Sequence, residues 1–408
     1  MDVWRRLLLV VVCGVAVASI YAAQPVLEPM GHDLGLPPEL AGWIVSTSQF
    51  GYLAGLVPLG DVVTDRRRLI AVHLAITAVG VILTASASAA WMAFVGLAAG
   101  VFAVVVQTTV AYAASVSLPA ERGRNIGVVT SGVVVGILGA RVVTGALADV
   151  WGWRSVYAVL AVLSLGLAAL VLAVLPSEGR PDGSTAGYRQ AVTSLGELFG
   201  QRLFLTRGLI AFFLFASFGT LWSGVSLPLA GTPWHLSESQ IGLFGIVGLA
   251  GALGAARAGR WADAGRAAPV TGLSLTLLIL SWAAIAQLPC SLWLLIVGIV
   301  LLDFAVQAVH VSNQHLLTAA HPHRISSYMV FYSLGSALGA AATTAIFSAH
   351  GWAGSGLLGA GFAACALIAW AADRRLPRRS ENSRSKEAGA RQAQAETEAA
   401  DQAGHVVN

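Results

Sequence analysis

"GVVVGILGARVVTGALADV", residues 132–150, decides how the chain is read. Ahead of Asp149 every residue is apolar, small or threonine, with one exception, Arg141. A helix of this length, rising about 1.5 Å per residue, nearly crosses a hydrocarbon core about 30 Å thick. A guanidinium keeps its proton at any ordinary pH. At bilayer depth that charge costs at least about 2.5–3.5 kcal/mol on insertion scales, so it must face protein or a water-filled cavity. The stretch therefore predicts a membrane span and a polar interior for that span to face.

The remaining sequence agrees. Of the 408 residues, 56% are hydrophobic and 11% are charged, and the mean hydropathy is +0.75. Soluble domains carry about 25% charged residues, so this chain could not cover a water-facing surface. Apolar runs between charged or Pro/Gly breaks predict twelve helices, near residues 7–28, 40–60, 69–89, 91–116, 125–149, 153–175, 206–230, 240–258, 268–287, 291–318, 325–349 and 352–372. The expected fold class is an all-α polytopic membrane protein. The N-terminal run ends in Tyr21 and Gln24–Pro25 without a small-residue cleavage site, so it reads as a retained first span. Cys13, Cys290 and Cys365 show no metal or redox spacing and read as small apolar residues.

Charge placement sets the topology. Residues 176–205 form a polar linker, with an amphipathic helix from Tyr188 that sets Val192, Leu195 and Phe199 on one face. Residues 373–408 are polar and poor in aromatics, which predicts a disordered tail. Twelve spans put both termini and the even-numbered connections on one side. Of the 24 Lys and Arg residues, all but Arg141 and Arg154 fall there, Arg202 and Arg207 being counted with the linker. Cytoplasmic loops are rich in Lys and Arg, so both termini are expected in the cytoplasm of a cell-membrane protein.

Two loops echo each other. "VPLGDVVTDRRRL", residues 57–69, follows the second span, and "AGRWADAGRAA", residues 258–268, follows the eighth. Each sets an acid (Asp61, Asp263) at a helix end and basic residues (Arg66 to Arg68, Arg266) after it. The repeat six spans apart divides the chain into an N-terminal six-helix half, residues 1–175, and a C-terminal half, residues 206–372. Internal repeats of this kind mark secondary-transporter folds.

On these residues the chain resembles the major facilitator superfamily over about residues 1–372. That family has a loop signature of form G-x-L-x-D-R-x-G-R-R, of which Asp61 and the arginines remain; the second copy keeps Gly259, Asp263, Gly265 and Arg266. Tyr21, Gln24 and Pro25 match a Tyr-x-x-Gln-Pro motif, and "LLDFAVQAVHVSNQ" matches a tenth-helix motif, of efflux-type members. The resemblance implies a conformational latch at Asp61, Arg66 and Arg67, echoed at Asp263 and Arg266. The plainer reading is charge that only sets topology. Of the family's antiporter motif G-x-x-x-G-P-x-x-G-G, Gly132 and Gly136 remain, while Ala140–Arg141 replaces the closing glycines. An arginine common in the family's fourth helix is replaced by Gly96.

Inside the spans, Asp303, Gln307, His310 and Gln314 are spaced 4, 3 and 4 apart, one stripe of a helix, with Asn313 on its flank. Asp303 is the acid well inside a span, His310 titrates near neutrality, and with Arg141 they form the proton-coupling candidates. A static Asp303–Arg141 pair and an interior histidine are the structural alternatives. Tyr21, Gln24, Gln49, Gln107, Tyr112, Trp222, Tyr328 and Tyr332 complete the candidate cavity lining.

The function expected is secondary active transport, with proton-driven export of a small organic compound as the leading mode. Uptake by symport or facilitated diffusion of a sugar or metabolite is the alternative. No H-E-x-x-H, G-x-S-x-G or P-loop pattern occurs, so neither an enzyme nor direct ATP drive is expected. The partners expected are protons, the lipid bilayer and a small-molecule substrate, with no nucleic acid, metal or cofactor, and a monomer suffices.

Overall fold

The computed structural model describes residues 2–55, 65–102, 105–118, 121–177, 202–253, 260–261, 265–320 and 325–375. All regular structure among them is helical. Helix α1 runs Val3–Tyr21, and the short α2, Leu27–Asp33, follows a turn. The predicted first span therefore ends earlier than residue 28. Pro25 carries no N–H and disfavours a helical residue before it, which breaks the helix at this point. Next come α3 (Gly42–Gly55), α4 (Arg66–Ala85), α5 (Ala90–Phe102) and α6 (Val105–Ser115). The long α7 (Arg122–Trp151) turns into α8 (Trp153–Val174) at Gly152, whose φ of 75° favours glycine. The C-terminal set is α9 (Arg202–Gly224), α10 (Ser226–Ala230), α11 (Glu238–Leu253), α12 (Ala267–Ile285), α13 (Leu292–Ala320) and α14 (Ile325–Arg375).

Among the described residues, nine helical segments are long and apolar enough to cross a membrane. Helices α3 and α11, of 14 and 16 residues, fall short of that length, and each ends at the last residue described there. Gly351, at φ 63° and ψ −163°, interrupts α14 and divides the last two predicted spans. Each of the twelve predicted helices thus has a helical counterpart. Helices suit lipid because every backbone polar group is satisfied within its own segment.

Two sequence expectations change. Arg207, counted with the linker, lies inside α9 and is 5% exposed. Residues 373–375, expected in the tail, continue α14. The proposed amphipathic helix from Tyr188, Asp61, Asp263 and residues 376–408 lie outside the described residues.

Small residues set the packing, because without a hydrophobic drive between helices in lipid, close backbone contact supplies dispersion. On α7, a Cβ at Gly132 would lie 2.2 Å from the Val10 carbonyl oxygen of α1, and one at Gly136 would lie 2.4 Å from the Gly14 carbonyl oxygen. Further along, a Cβ at Gly145 would lie 2.2 Å from the Glu238 carbonyl oxygen, and one at Gly242 of α11 would lie 2.5 Å from the Arg141 carbonyl oxygen. Helix α7 therefore touches α1 on one side and α11 on the other. A second seam joins α3 to α14: Gly42 N–H donates to Thr344 Oγ1 (3.1 Å) and Ser46 Oγ donates to the Ala337 carbonyl (2.8 Å).

Candidate functional site

Arg141 leaves the middle of α7 and is 3% exposed. Its Nε and Nη2 both donate to Gln24 Oε1, at 3.2 and 3.1 Å. Gln24 is held just beyond α1 by the turn at Pro25. The guanidinium carbon lies 3.6 Å from the centre of the Trp222 ring of α9 and 5.7 Å from that of Tyr21. Stacking on Trp is the most favourable cation–π arrangement and gains about 2 kcal/mol or more when desolvated. No carboxylate stands within 4.0 Å of Arg141 among the described residues. Gln24, Pro25, Arg141, Trp222, Val225, Ser226 and Ile241 enclose a cavity of about 10 Å³, the size of one water.

Asp303 of α13 approaches the edge of the same Trp222 ring, and it is 5% exposed. A Cβ at Gly248 of α11 would meet Asp303 Oδ2 at 2.9 Å and Trp222 Cζ2 at 3.0 Å. Asp303 Oδ2 and Trp222 Nε1 lie near each other but form no hydrogen bond of good geometry, and neither atom has another partner among the described residues. A buried polar atom left unpaired costs about 1–3 kcal/mol, more when charged, so these orphans call for a functional reason. The expected direct Asp303–Arg141 pair is not formed. Trp222 touches both partners instead.

His310 lies two turns along α13, about 10 Å from Asp303 by helix rise. Its Nδ1 is 3.1 Å from the Tyr328 hydroxyl, and Phe215 packs edge-on at 5.1 Å between ring centres. Tyr332 meets Phe215 edge-on at 4.0 Å between ring centres and shares a hydrogen bond with the Tyr21 hydroxyl of α1. Asn313, fully buried, accepts from Arg207 Nη1 at 3.4 Å. Gln307 and Gln314 are half-buried on the same helix. Gln107 donates to the Tyr52 hydroxyl, and Gln49 is buried with no partner for its Nε2 among the described residues.

Tyr112 belongs elsewhere. Its ring packs with Leu9, Ile70, Leu74 and Val171, and its hydroxyl donates to the Pro176 carbonyl at 2.9 Å. It is a core residue of the N-terminal helices, because that carbonyl just past α8 satisfies the one polar atom of a buried ring. Sequence reasoning missed Tyr52, Phe215 and the buried position of Arg207. A tyrosine three residues beyond Gln49 on one helix face was a usable signal for Tyr52; Arg207 had none, since charge counting places it in a loop.

At the arginine-rich loop, Asp65 is the described acid. It caps α4 by accepting from Arg67 N–H (3.0 Å), and its Oδ2 accepts from Ser177 Oγ (2.9 Å). Arg67 Nη1 donates to the Leu175 carbonyl at 3.1 Å, and its Nε lies 3.6 Å from Asp65. This network ties α4 to the end of α8. Arg66 begins α4, and Arg266 is exposed at the start of α12.

Where α7 meets the start of α11, Asp149 Oδ2 accepts from Ser237 Oγ (2.9 Å) and Ser239 N–H (3.1 Å). The Glu238 carboxyl beside it is held above the usual carboxylate range, first by its hydrogen bond to Asp149 and then by burial. Among the described residues no group of three or more His, Cys, Asp or Glu could hold a metal ion.

The Major Facilitator Superfamily profile matches residues 9–230 and 208–401. The chain is 39% identical over 372 residues to the uncharacterized transporter YgaY of Escherichia coli O157:H7, covering 89% of this chain and 94% of that protein. A Streptomyces coelicolor protein named as a transporter, SCO4007, is 32% identical over 364 residues, covering 85% and 82%. Among solved structures, a bacterial homologue of the human lysosomal transporter Spinster superposes with a TM-score of 0.72 at 17% identity, covering 90% of this chain and 95% of that one. The nucleoside transporter NupG gives 0.72 at 15% identity, covering 90% and 99%.

Proposed function

The chain belongs to the Major Facilitator Superfamily, and from that membership we propose that it is a proton-coupled secondary transporter that exports a small organic compound by alternating access. That it is a membrane transporter and not an enzyme follows from the family. One observation carries the finer reading: Arg141 and Asp303, buried in different parts of the chain, come to one tryptophan without pairing. A static packing lock would have closed that pair, since a buried ion is retained cheaply only when matched. A buried acid without an ion-pair partner, with desolvation favouring its neutral form and a nearby cation its charged form, is suited to take up and release a proton.

In this reading Asp303 carries the proton, and Arg141 supplies the charge it answers to. The lining of Tyr21, Gln24, Gln307, Tyr328 and Tyr332 offers hydroxyl and amide contacts with aromatic faces, which suits amphipathic neutral or weakly charged compounds. The two six-helix halves rock about this midplane, and the termini and arginine-rich loops face the cytoplasm of the cell membrane. The test is flux in proteoliposomes holding a pH-sensitive dye. An exporter moves protons inward as compound leaves; compound and protons moving inward together would establish uptake by symport instead.

A further inference from the structure

We propose that Trp222 is the alternative seat of the Arg141 guanidinium, occupied while Asp303 is protonated and vacated when Asp303 ionises. The proposal rests on the reading of Asp303 as the proton carrier.

Three observations lead to it. First, the guanidinium carbon is 3.6 Å from the Trp222 ring centre, while both nitrogens that form hydrogen bonds share one oxygen of a neutral amide. Nη1 makes no hydrogen bond among the described residues, so one arm of the fork is available for a further acceptor. Second, the Trp222 ring edge and Asp303 Oδ2 meet at one glycine, Gly248, so the seat and the counter-charge are neighbours. Third, the arginine stem lies in a notch of α11: a Cβ at Gly245 would come 3.0 Å from Arg141 Cβ and 3.1 Å from its Cδ. The notch gives the stem a place that any larger residue would contest.

The physics favours two positions over one. A neutral carboxylic acid offers a guanidinium little, and the electron-rich ring face is then the better partner. A carboxylate in a low-dielectric site attracts the same cation far more strongly than a ring does. The two positions are neighbours along α11, where the arginine stem meets Gly245 and the carboxyl meets Gly248, one helical turn on. Arg141 belongs to α7 and Trp222 to α9, so a move between them changes a contact between the N-terminal and C-terminal helices. Trp222 is thus a positioning residue: it keeps the cation close without neutralising the acid.

The test reads Asp303 directly. Infrared difference spectra of the full chain in lipid are recorded as pH is stepped, following the C=O band of protonated carboxyls. The band assigned to Asp303 is the one that Asp303→Asn removes. With the seat deleted in Trp222→Leu, the guanidinium falls onto the carboxylate, and the band's midpoint moves to lower pH by about one unit or more, the effect of an opposite charge at close range. Trp222→Phe keeps a ring face but, like the Leu variant, lacks the indole N–H, so the Leu midpoint is expected to lie about one unit or more below the Phe midpoint. Should Trp222→Leu fail to fold, Gly245→Ala, which crowds the seated stem, is expected to shift the midpoint the same way. A midpoint unmoved in the folded Leu or Ala variant overturns the proposal. The predicted order of midpoints in a protein that shows no substrate-driven proton flux would uphold the seat and overturn the coupling reading.

Discussion

Two arginines of this chain are held in opposite ways. Arg67, at the start of α4, meets the Asp65 carboxylate and the Leu175 and Leu172 carbonyls at the end of α8, all within the N-terminal helices. Every partner is an acceptor, and two are backbone atoms that need a donor. Arg141, inside α7, meets a neutral amide and an aromatic ring, and its nearby acid stays unpaired. One region is a staple of a cation onto an anion and two carbonyls, with Nε at ion-pair distance from Asp65. The other brings a cation and an acid to one tryptophan without a salt bridge between them. Stored attraction of that kind is wasted in a scaffold and useful in a device with two states.

The largest effect that could break this contrast is at Asp303. Asp303→Asn is expected to reduce pH-gradient-driven flux to background while the protein stays folded by size-exclusion chromatography. Arg141→Met comes next. A buried cation without an ionic partner gains little for the fold, so coupled flux should fall at least about tenfold while the melting temperature holds or rises. A variant that melted early with normal flux would make Arg141 a staple like Arg67. For Arg67→Met the signs reverse: stability falls by about 1 kcal/mol, because carbonyls at the end of α8 lose their donor, and flux per folded molecule changes little.

The smallest effect concerns the α7–α11 seam. The raised pKa of Glu238 means the closed seam binds its proton more tightly than a free carboxyl would. The Glu238–Asp149 bond is therefore intact below that raised value and weakens as pH climbs through it. Glu28 adds further negative charge at the same place. Amide exchange at residues 237–241 should accelerate with pH beyond the intrinsic rate, and Glu238→Gln, a neutral donor at any pH, should remove that excess.

Much of this was legible before any coordinates. The 3.6-residue period and the 4, 3, 4 spacing placed Asp303, His310 and Gln314 on one face, and a helix enforces that geometry whatever surrounds it. Arg141 announced a polar interior because its charge cannot be discharged. What stayed hidden depends on contacts between helices. Nothing in the spacing says that Trp222 meets Arg141 on its face and comes close to Asp303 at its edge, since α7, α9 and α13 are distant in sequence. Tyr112 read as cavity lining because a tyrosine's pattern is the same whether its hydroxyl meets solvent or the Pro176 carbonyl. Arg207 read as a loop charge because sidedness counting has a resolution of about a helical turn. Asp65 was overlooked although an acid just before a helix start is a capping signal.

The central claim is that Asp303 couples proton movement to transport. The direct test is proteoliposomes loaded with a pH-sensitive dye, given a pH gradient and a panel of amphipathic drugs, sugars and amino-acid-like compounds, comparing wild type with Asp303→Asn. The account predicts that at least one compound triggers proton flux in wild type and none does so in the variant. A compound that drives equal proton flux through both would contradict it, and would return Asp303 and Arg141 to the role of helix packing.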